Sequence, residues 1–254
     1  MSTHSGRVLA VCVVHAEIEV KTRVGRTAID KRPVPRRVPV RALGFEGDHV
    51  CDPENHGGIH QAVYAYAEED ANRWAGALHR ELPAGWFGEN LRIEGLPVSD
   101  AVIGERWAVG DALLEVSAPR VPCATFQQWS GEAQWVKRFT LQSDTGAYLR
   151  VLTEGTIGAG DEVRVVHVPA HGITVRDQFT GTDIERLDTL LEAEPTISDD
   201  VRMQVERHRR RHENAARAAA NLKGADAVRE RSERTIGTAS PAFMPEPSAS
   251  EVRA

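Results

Sequence analysis

Three stretches of the sequence hold side chains that could do chemistry, and the most pointed is Ser117 to Gln127, SAPRVPCATFQ. It places Cys123 behind a proline, in a turn opened by Pro119 and Arg120, with a strand-like run from Ala112 to Val116 leading in. Proline cannot donate to a sheet ladder and pushes the residue before it towards extended geometry. The strand should therefore end near Ala118, with Cys123 on a rigid loop. Beside Arg120 a thiol can have a lowered pKa, and the thiolate is the form that binds metals or attacks. The competing reading is a small buried hydrophobe, the commoner fate of a free cysteine; on this loop alone the two are evenly balanced.

The second stretch, DHVCDPENHGGIHQ from Asp48 to Gln61, holds His49, Cys51, Asp52, His56 and His60 without helical or strand periodicity. It reads as a long functional loop. Cys51, His56 and His60 do not follow the usual zinc spacings, and Gly57-Gly58 forbids a stable helix across the two histidines. A His-Gly-Gly turn is better suited to close approach of backbone to a ligand, with N–H groups free for an anion. His56 could equally cap its own loop. The third stretch is basic: Lys21, Arg23, Arg26, Lys31, Arg32, Arg36, Arg37 and Arg41 lie together with a single acid, Asp30. It is either a site for an anionic partner such as a phosphate or a solvated basic hairpin. Gly88-Glu89-Asn90, between Trp86-Phe87 and a strand, reads alone as a turn whose Asn90 amide can both donate and accept. No nucleophile elbow, dinucleotide fingerprint or Walker sequence is present.

The elements that must position these residues are mostly short strands. Arg7 to His15 reads as a buried strand, and the proline-bearing stretch Thr27 to Arg41 as an edge strand or extended loop. Gln61 to Ala67, Arg106 to Val109, Ala112 to Val116, Tyr148 to Leu152 and Asp161 to Val168 read as further strands, most of them separated by glycine turns. A helix is expected over Glu68 to Leu82, with Ala71, Trp74, Ala75 and Leu78 on one face. One more, Glu132 to Leu141, is expected to cross the barrel. The pattern predicts a mainly β protein, a barrel or sandwich. At Pro169 the composition changes: three short helices are expected, N-capped at Thr174 and Ser198, and they must hide their apolar faces on the barrel or a partner. From about residue 216 to 254 the Ala/Arg/Glu-rich and then Ser/Pro-rich composition predicts no fixed structure.

The 254 residues are 41% hydrophobic with net charge −6, which disfavours nucleic-acid binding. No apolar run approaches the ~20 residues of a membrane span. The run Val8 to Val14 lacks the flanks of a signal peptide, and Cys12, Cys51 and Cys123 are odd in number and far apart. Both features point to the cytoplasm.

Taken in order, TAIDKRPV (Thr27 to Val34), GDHVCDPENHGGIHQAVYAY (Gly47 to Tyr66), GWFGENL (Gly85 to Leu91), IGERWAVGDALLEVSAPRVPC (Ile103 to Cys123) and GAYLRVL (Gly146 to Leu152) resemble the MOSC domain, named for the C-terminal domain of molybdenum cofactor sulfurase. The resemblance is closest to YiiM-like stand-alone members. It covers roughly residues 7 to 168 as a MOSC β-barrel and Pro169 to about Arg211 as a small three-helix domain; together with the composition this divides the chain into 1–168, 169–215 and a tail over 216–254. It also implies a bound molybdenum cofactor, a pterin dithiolene with a phosphate tail. Cys123 would be the molybdenum ligand and catalytic residue. Lys31 and Arg32 would take the phosphate, Arg120 phosphate or pterin, and Asp48, His56, Gly57, Gly58 and Asn90 would line the pterin and the open metal face. The implied activity is reduction of N-hydroxylated compounds, such as 6-hydroxylaminopurine and amidoximes, with electrons from an external flavin or iron–sulfur protein. A non-redox carrier using a Cys123 persulfide, and more remotely a zinc hydrolase on His56 and His60, are the alternatives.

Overall fold

In the computed structural model of the chain the described residues are 5–53 and 56–236, with side chains described to residue 223. Strands β1 (Ser5–Glu19), β2 (Arg26–Pro33), β3 (Val38–Arg41), β4 (Gly44–Phe45) and β5 (Val63–Ala67) precede helix α1 (Glu68–Leu78). Then come β6 (Leu91–Glu94), β7 (Arg106–Val109), β8 (Ala112–Pro119), helices α2 (Ala124–Ser130) and α3 (Trp135–Gln142), β9 (Ala147–Thr153), β10 (Gly155–Ile157) and β11 (Glu162–His167). The C-terminal helices are α4 (Val175–Thr180), α5 (Ile184–Ala193) and α6 (Asp199–Ile236).

Seven strands close into a mixed barrel in the order β11-β7-β8-β9-β5-β6-β1, and β1 pairs back to β11. Closure removes the exposed edges of an open sheet. β2 adds to the outside of β1 and has no further neighbour in that sheet. This is where the prolines allow a strand: Pro33 is its last residue, and Pro35 lies beyond it. β5 and β6 are the one parallel neighbour pair in the sheet order, and α1 makes the crossover that such a pair requires.

β5 divides the interior by its two-residue alternation. Val63, Ala65 and Ala67 face the barrel core with Val8, Leu91, Trp107, Leu114 and Leu149. Tyr64 and Tyr66 face outward into a second cluster with Trp74, Phe87, Phe126, Trp135 and Phe139. That second cluster corrects one expectation. No single helix crosses the barrel; α2 and α3 lie on its outer, aromatic side. Trp135 and Phe139, one turn apart on α3, bury their rings against Trp74 and Phe126. Helix α1 also stops at Leu78, four residues early, where His79 turns left-handed at φ 52.

The C-terminal helices begin as the sequence indicates. Thr174 and Asp177 form a reciprocal capping box on α4, and the Val201 N–H donates to Ser198 Oγ at 3.3 Å. Ile173, Val175, Leu187, Leu190, Val201 and Val205 join the barrel's own core. The apolar faces that could not stand alone are covered by the barrel. Residues 1–208 make one compact unit and 209–254 a second. Helix α6 continues through Ile236, so residues 216–236 are helical where their composition suggested no fixed structure. The reason is that Ala, Arg and Glu are strong helix formers, so the same composition serves a solvated helix. Side chains 210–223 are exposed around that helix. The rest of the expected tail, 237–254, lies outside the described residues. Among the described residues no helix is long and apolar enough to cross a membrane.

Candidate metal-ligating site at Cys123

β8 ends at Pro119, which pairs with Ala147 on β9, and the chain then leaves the barrel. Arg120 to Pro122 lead to Cys123, which is the N-cap of α2 at φ −131 and ψ 172. The cysteine is thus at the head of a short helix that the sequence did not announce, with one flank against the aromatic cluster. It is half-buried and unpaired to any other sulfur.

Burial opposes ionisation of the Cys123 thiol. A hydrogen bond from His56, the charge of Arg120 and the Phe126 backbone N–H in the first turn of α2 outweigh it. The result is a thiol pulled down from an ordinary 9.0 to about 6. At neutral pH this sulfur is an anion. The other two cysteines go the opposite way: burial pushes both Cys12 and Cys51 up, and Cys12 is fully enclosed.

Arg120 is the second unusual group. Its side chain is buried, with the guanidinium carbon 3.7 Å from the centre of the Phe126 ring and 5.9 Å from the centres of both Tyr64 and Phe139. Stacking of this kind holds the guanidinium plane in place. Its Nη1 has no hydrogen-bond partner, and among the described residues no carboxylate pairs with it. A buried donor without an acceptor is costly, so Nη1 is a position where an acceptor would be favourable.

The structure therefore brings Cys123, His56 and Arg120 together. Gly57 and Gly58 follow His56 with φ of 86° and 77°, so the loop turns in a conformation that side-chain-bearing residues rarely adopt. A Cβ on Gly57 would come within 3.0 Å of Val50, whereas one on Gly58 would meet open space. His60 is not part of this group. Its carbonyl accepts from Ser117 Oγ, and its ring is pushed towards the neutral form by burial and by Arg150. Among the described residues His56 and His60 belong to no set of three metal ligands.

Lys31, Asp48 and Asn90 make a separate buried network. Lys31 Nζ donates to Asp48 Oδ2 at 2.6 Å, and both side chains are about nine-tenths enclosed. Asn90 Nδ2 donates to the same Oδ2 at 2.8 Å and to the Cys12 carbonyl at 3.2 Å. Its Oδ1 accepts from the Tyr64 N–H, while Asp48 Oδ1 accepts from the Val14 N–H. These three residues bind β1, β2, β5 and the start of the 48–58 loop together. Arg32 is different: it reaches Asp30 with two 3.2 Å hydrogen bonds but is 58% exposed. More of the basic stretch is paired with acids outside it: Arg26 with Glu17, Arg37 with Asp161, Arg41 with Glu46 and Glu154.

The turn before Asn90 carries a residue that has no role of its own at the level of sequence. Glu89 is completely buried and accepts from the Gly85 and Phe87 N–H groups and from Arg92 Nε and Nη2. Gly85 itself must lack a side chain, since at φ 91° a Cβ would lie 2.1 Å from the Lys31 carbonyl oxygen. The GWFG turn is thus pressed against β2, directly behind Lys31.

Comparison with known proteins places this arrangement. The MOSC domain family matches residues 52–164. The uncharacterized protein YflK of Bacillus subtilis is 35% identical over 150 residues, 59% of this chain and 68% of YflK. Protein YiiM of Escherichia coli is 38% identical over 104 residues, 38% of this chain and 45% of YiiM. A Gibberella moniliformis protein named Reductase is 31% identical over 147 residues, 56% of this chain but 26% of its own length. The crystal structure of YiiM from Geobacillus stearothermophilus superposes with a TM-score of 0.66 at 24% identity, covering 80% of this chain and 98% of that one. A closed mixed barrel that delivers an arginine and a cysteine from the end of β8, with matching sequence through that whole region, makes this chain a YiiM-like member of the MOSC domain family.

Proposed function

We propose that this protein binds the molybdenum cofactor through Cys123 and reduces N-hydroxylated compounds, such as 6-hydroxylaminopurine and amidoximes. The observation that carries the reading is a half-buried thiolate beside an enclosed guanidinium whose Nη1 has no hydrogen-bond partner. A soft thiolate suits a pterin-bound transition metal. The unpaired Arg120 donor suits the anionic or acceptor edge of the same ligand. The family is associated with this cofactor, and one relative carries the name Reductase.

Each residue has a part. Cys123 ligates as the anion that His56 and Arg120 maintain. His56, hydrogen-bonded to the sulfur, would help hold Cys123 in the ionised form that a metal requires. Gly57 and Gly58 let the loop backbone approach without a side chain in the way. Arg32, exposed and weakly paired with Asp30, can exchange that partner for a phosphate at little cost. Lys31 is held by Asp48 in an enclosed pair, which is far harder to break. Lys31, Asp48 and Asn90 then have a supporting part, fixing the start of the loop that carries His56. When bound, the cofactor supplies the two-electron chemistry that removes the substrate oxygen. Electrons come from a separate flavin or iron–sulfur protein, because this chain's three cysteines fall short of the four that an iron–sulfur cluster ordinarily takes. The unpaired thiols fit the cytoplasm as the compartment.

Reconstituted with cofactor and given a chemical reductant, the protein should convert 6-hydroxylaminopurine to adenine, and the Cys123→Ala variant should not. A molybdenum-loaded wild type that fails to turn over would contradict the reductase reading. The same acidic thiol would serve a carrier that holds a persulfide; a stable extra sulfur on the Cys123 peptide by mass spectrometry, without turnover, selects that reading.

A further inference from the structure

The loop from Asp48 to Gln61 holds ligating side chains that the Cys123 site does not use. The geometry points to a second metal site, made by Glu17, His49 and Cys51 and suited to zinc. One ligand atom from each lies within 4.8 Å of the other two, and among the described residues this is the one such group of three. No spacing rule finds it, because Glu17 is on β1 and the other two are on the loop that follows β4. His49 and Cys51, two residues apart on that loop, both bring a ligand atom close to Glu17.

The donors are a carboxylate oxygen, an imidazole nitrogen and a sulfur, a mixture that selects zinc over magnesium or calcium. Around a tetrahedral zinc, with bonds of about 2.0–2.3 Å, neighbouring ligand atoms lie about 3.3–3.8 Å apart. His49 Nε2 now sits 2.9 Å from Glu17 Oε1, so an ion enters by parting that hydrogen bond slightly and drawing the cysteine in. Glu17 also meets Arg26 at 3.3 Å, but that pair is exposed and exchanges readily. Glu17 and His49 are exposed and Cys51 is half-buried, so the site is reachable from solvent. Three protein ligands leave a fourth position for water. Binding would displace the Cys51 proton, coupling affinity to pH.

Such an ion would fasten the first part of the loop to β1. His56, which hydrogen-bonds Cys123, lies five residues beyond Cys51. The site would thus serve as a clip that holds the loop against the barrel, independent of whether the Cys123 site is loaded.

The full chain, stripped with a chelator, is titrated with zinc alone and separately with cobalt(II). Wild type and Cys123→Ala should each bind one equivalent of zinc and show a thiolate-to-cobalt charge-transfer band. Cys51→Ala and His49→Ala should lose at least about 100-fold in zinc affinity, since a direct ligand matters more than a supporting partner. The cobalt band should vanish in Cys51→Ala. Both variants alter solvent-reachable side chains, so unchanged thermal midpoints without metal would show that they fold. Zinc binding that survives Cys51→Ala, disappears in Cys123→Ala, or is missing from wild type would overturn the site. The Cys123→Ala arm separates this outcome from failure of the molybdenum reading.

Discussion

Alkylation of Cys123 by iodoacetamide should rise with pH through a midpoint near 6 and level off above 7. An ordinary thiol titrates near 9.0, so the displacement is large. At pH 7 about nine-tenths of the Cys123 sulfur is ionised, against about one-hundredth of an unperturbed thiol. Peptide mapping should show Cys123 modified first, because Cys12 is enclosed and Cys51 ionises at higher pH than usual. His56→Ala removes the strongest stabiliser of the anion and should move the midpoint upward by a unit or more; Arg120→Met should move it the same way. The sign for stability follows. The folded thiol is more acidic than the unfolded one, so its ionisation favours the fold fully above pH 9, and that contribution is gone once the pH drops below about 6. A midpoint near 9 in wild type, unmoved by His56→Ala, would mean that the sulfur is not activated.

The Glu89→Ala variant should be the most destabilised of the single substitutions considered, by about 3–5 kcal/mol, the range for breaking a buried charge pair from one side. Glu89 and Arg92 are both enclosed, and the 2.6 Å bond from Arg92 Nη2 is one of four that Glu89 accepts. Alanine leaves two backbone N–H groups in the turn without this acceptor and the guanidinium with Glu68 as its remaining carboxylate. Glu89→Gln keeps an acceptor but not the charge and should fall between. Urea denaturation measures both; a loss under about 1 kcal/mol for Glu89→Ala would show that the turn does not depend on this carboxylate.

The parts of the fold that were readable rest on local rules. β5 and β8 announce themselves as short runs bounded by turn signals, the latter by the proline that ends it, and Thr174 as an N-cap. What was not readable depends on distance or on ambiguity. Helix α2 is seven residues long and is headed by a cysteine in place of the usual Ser, Thr, Asp or Asn cap, so nothing in ATFQQWS marks its start. The basic stretch looked unopposed because its acids lie outside it: Glu17 just before, and Asp161 and Glu154 more than 110 residues further on. Arg120 could be placed beside Cys123 from the turn alone, but its burial on Phe126, and the lack of any partner for Nη1, required the fold. His56 could be assigned only to the neighbourhood of a ligand; its bond to the sulfur of a residue 67 positions away follows from how the 48–58 loop folds.

The molybdenum content of protein produced in cells that make the cofactor tests the whole account. Wild type should carry close to one molybdenum per chain. Cys123→Ala should fall to background while unfolding at nearly the same temperature, because the residue is only half-buried and stands at the end of a short helix. Equal molybdenum in both proteins, or none in either when the cofactor is abundant, would contradict ligation by Cys123.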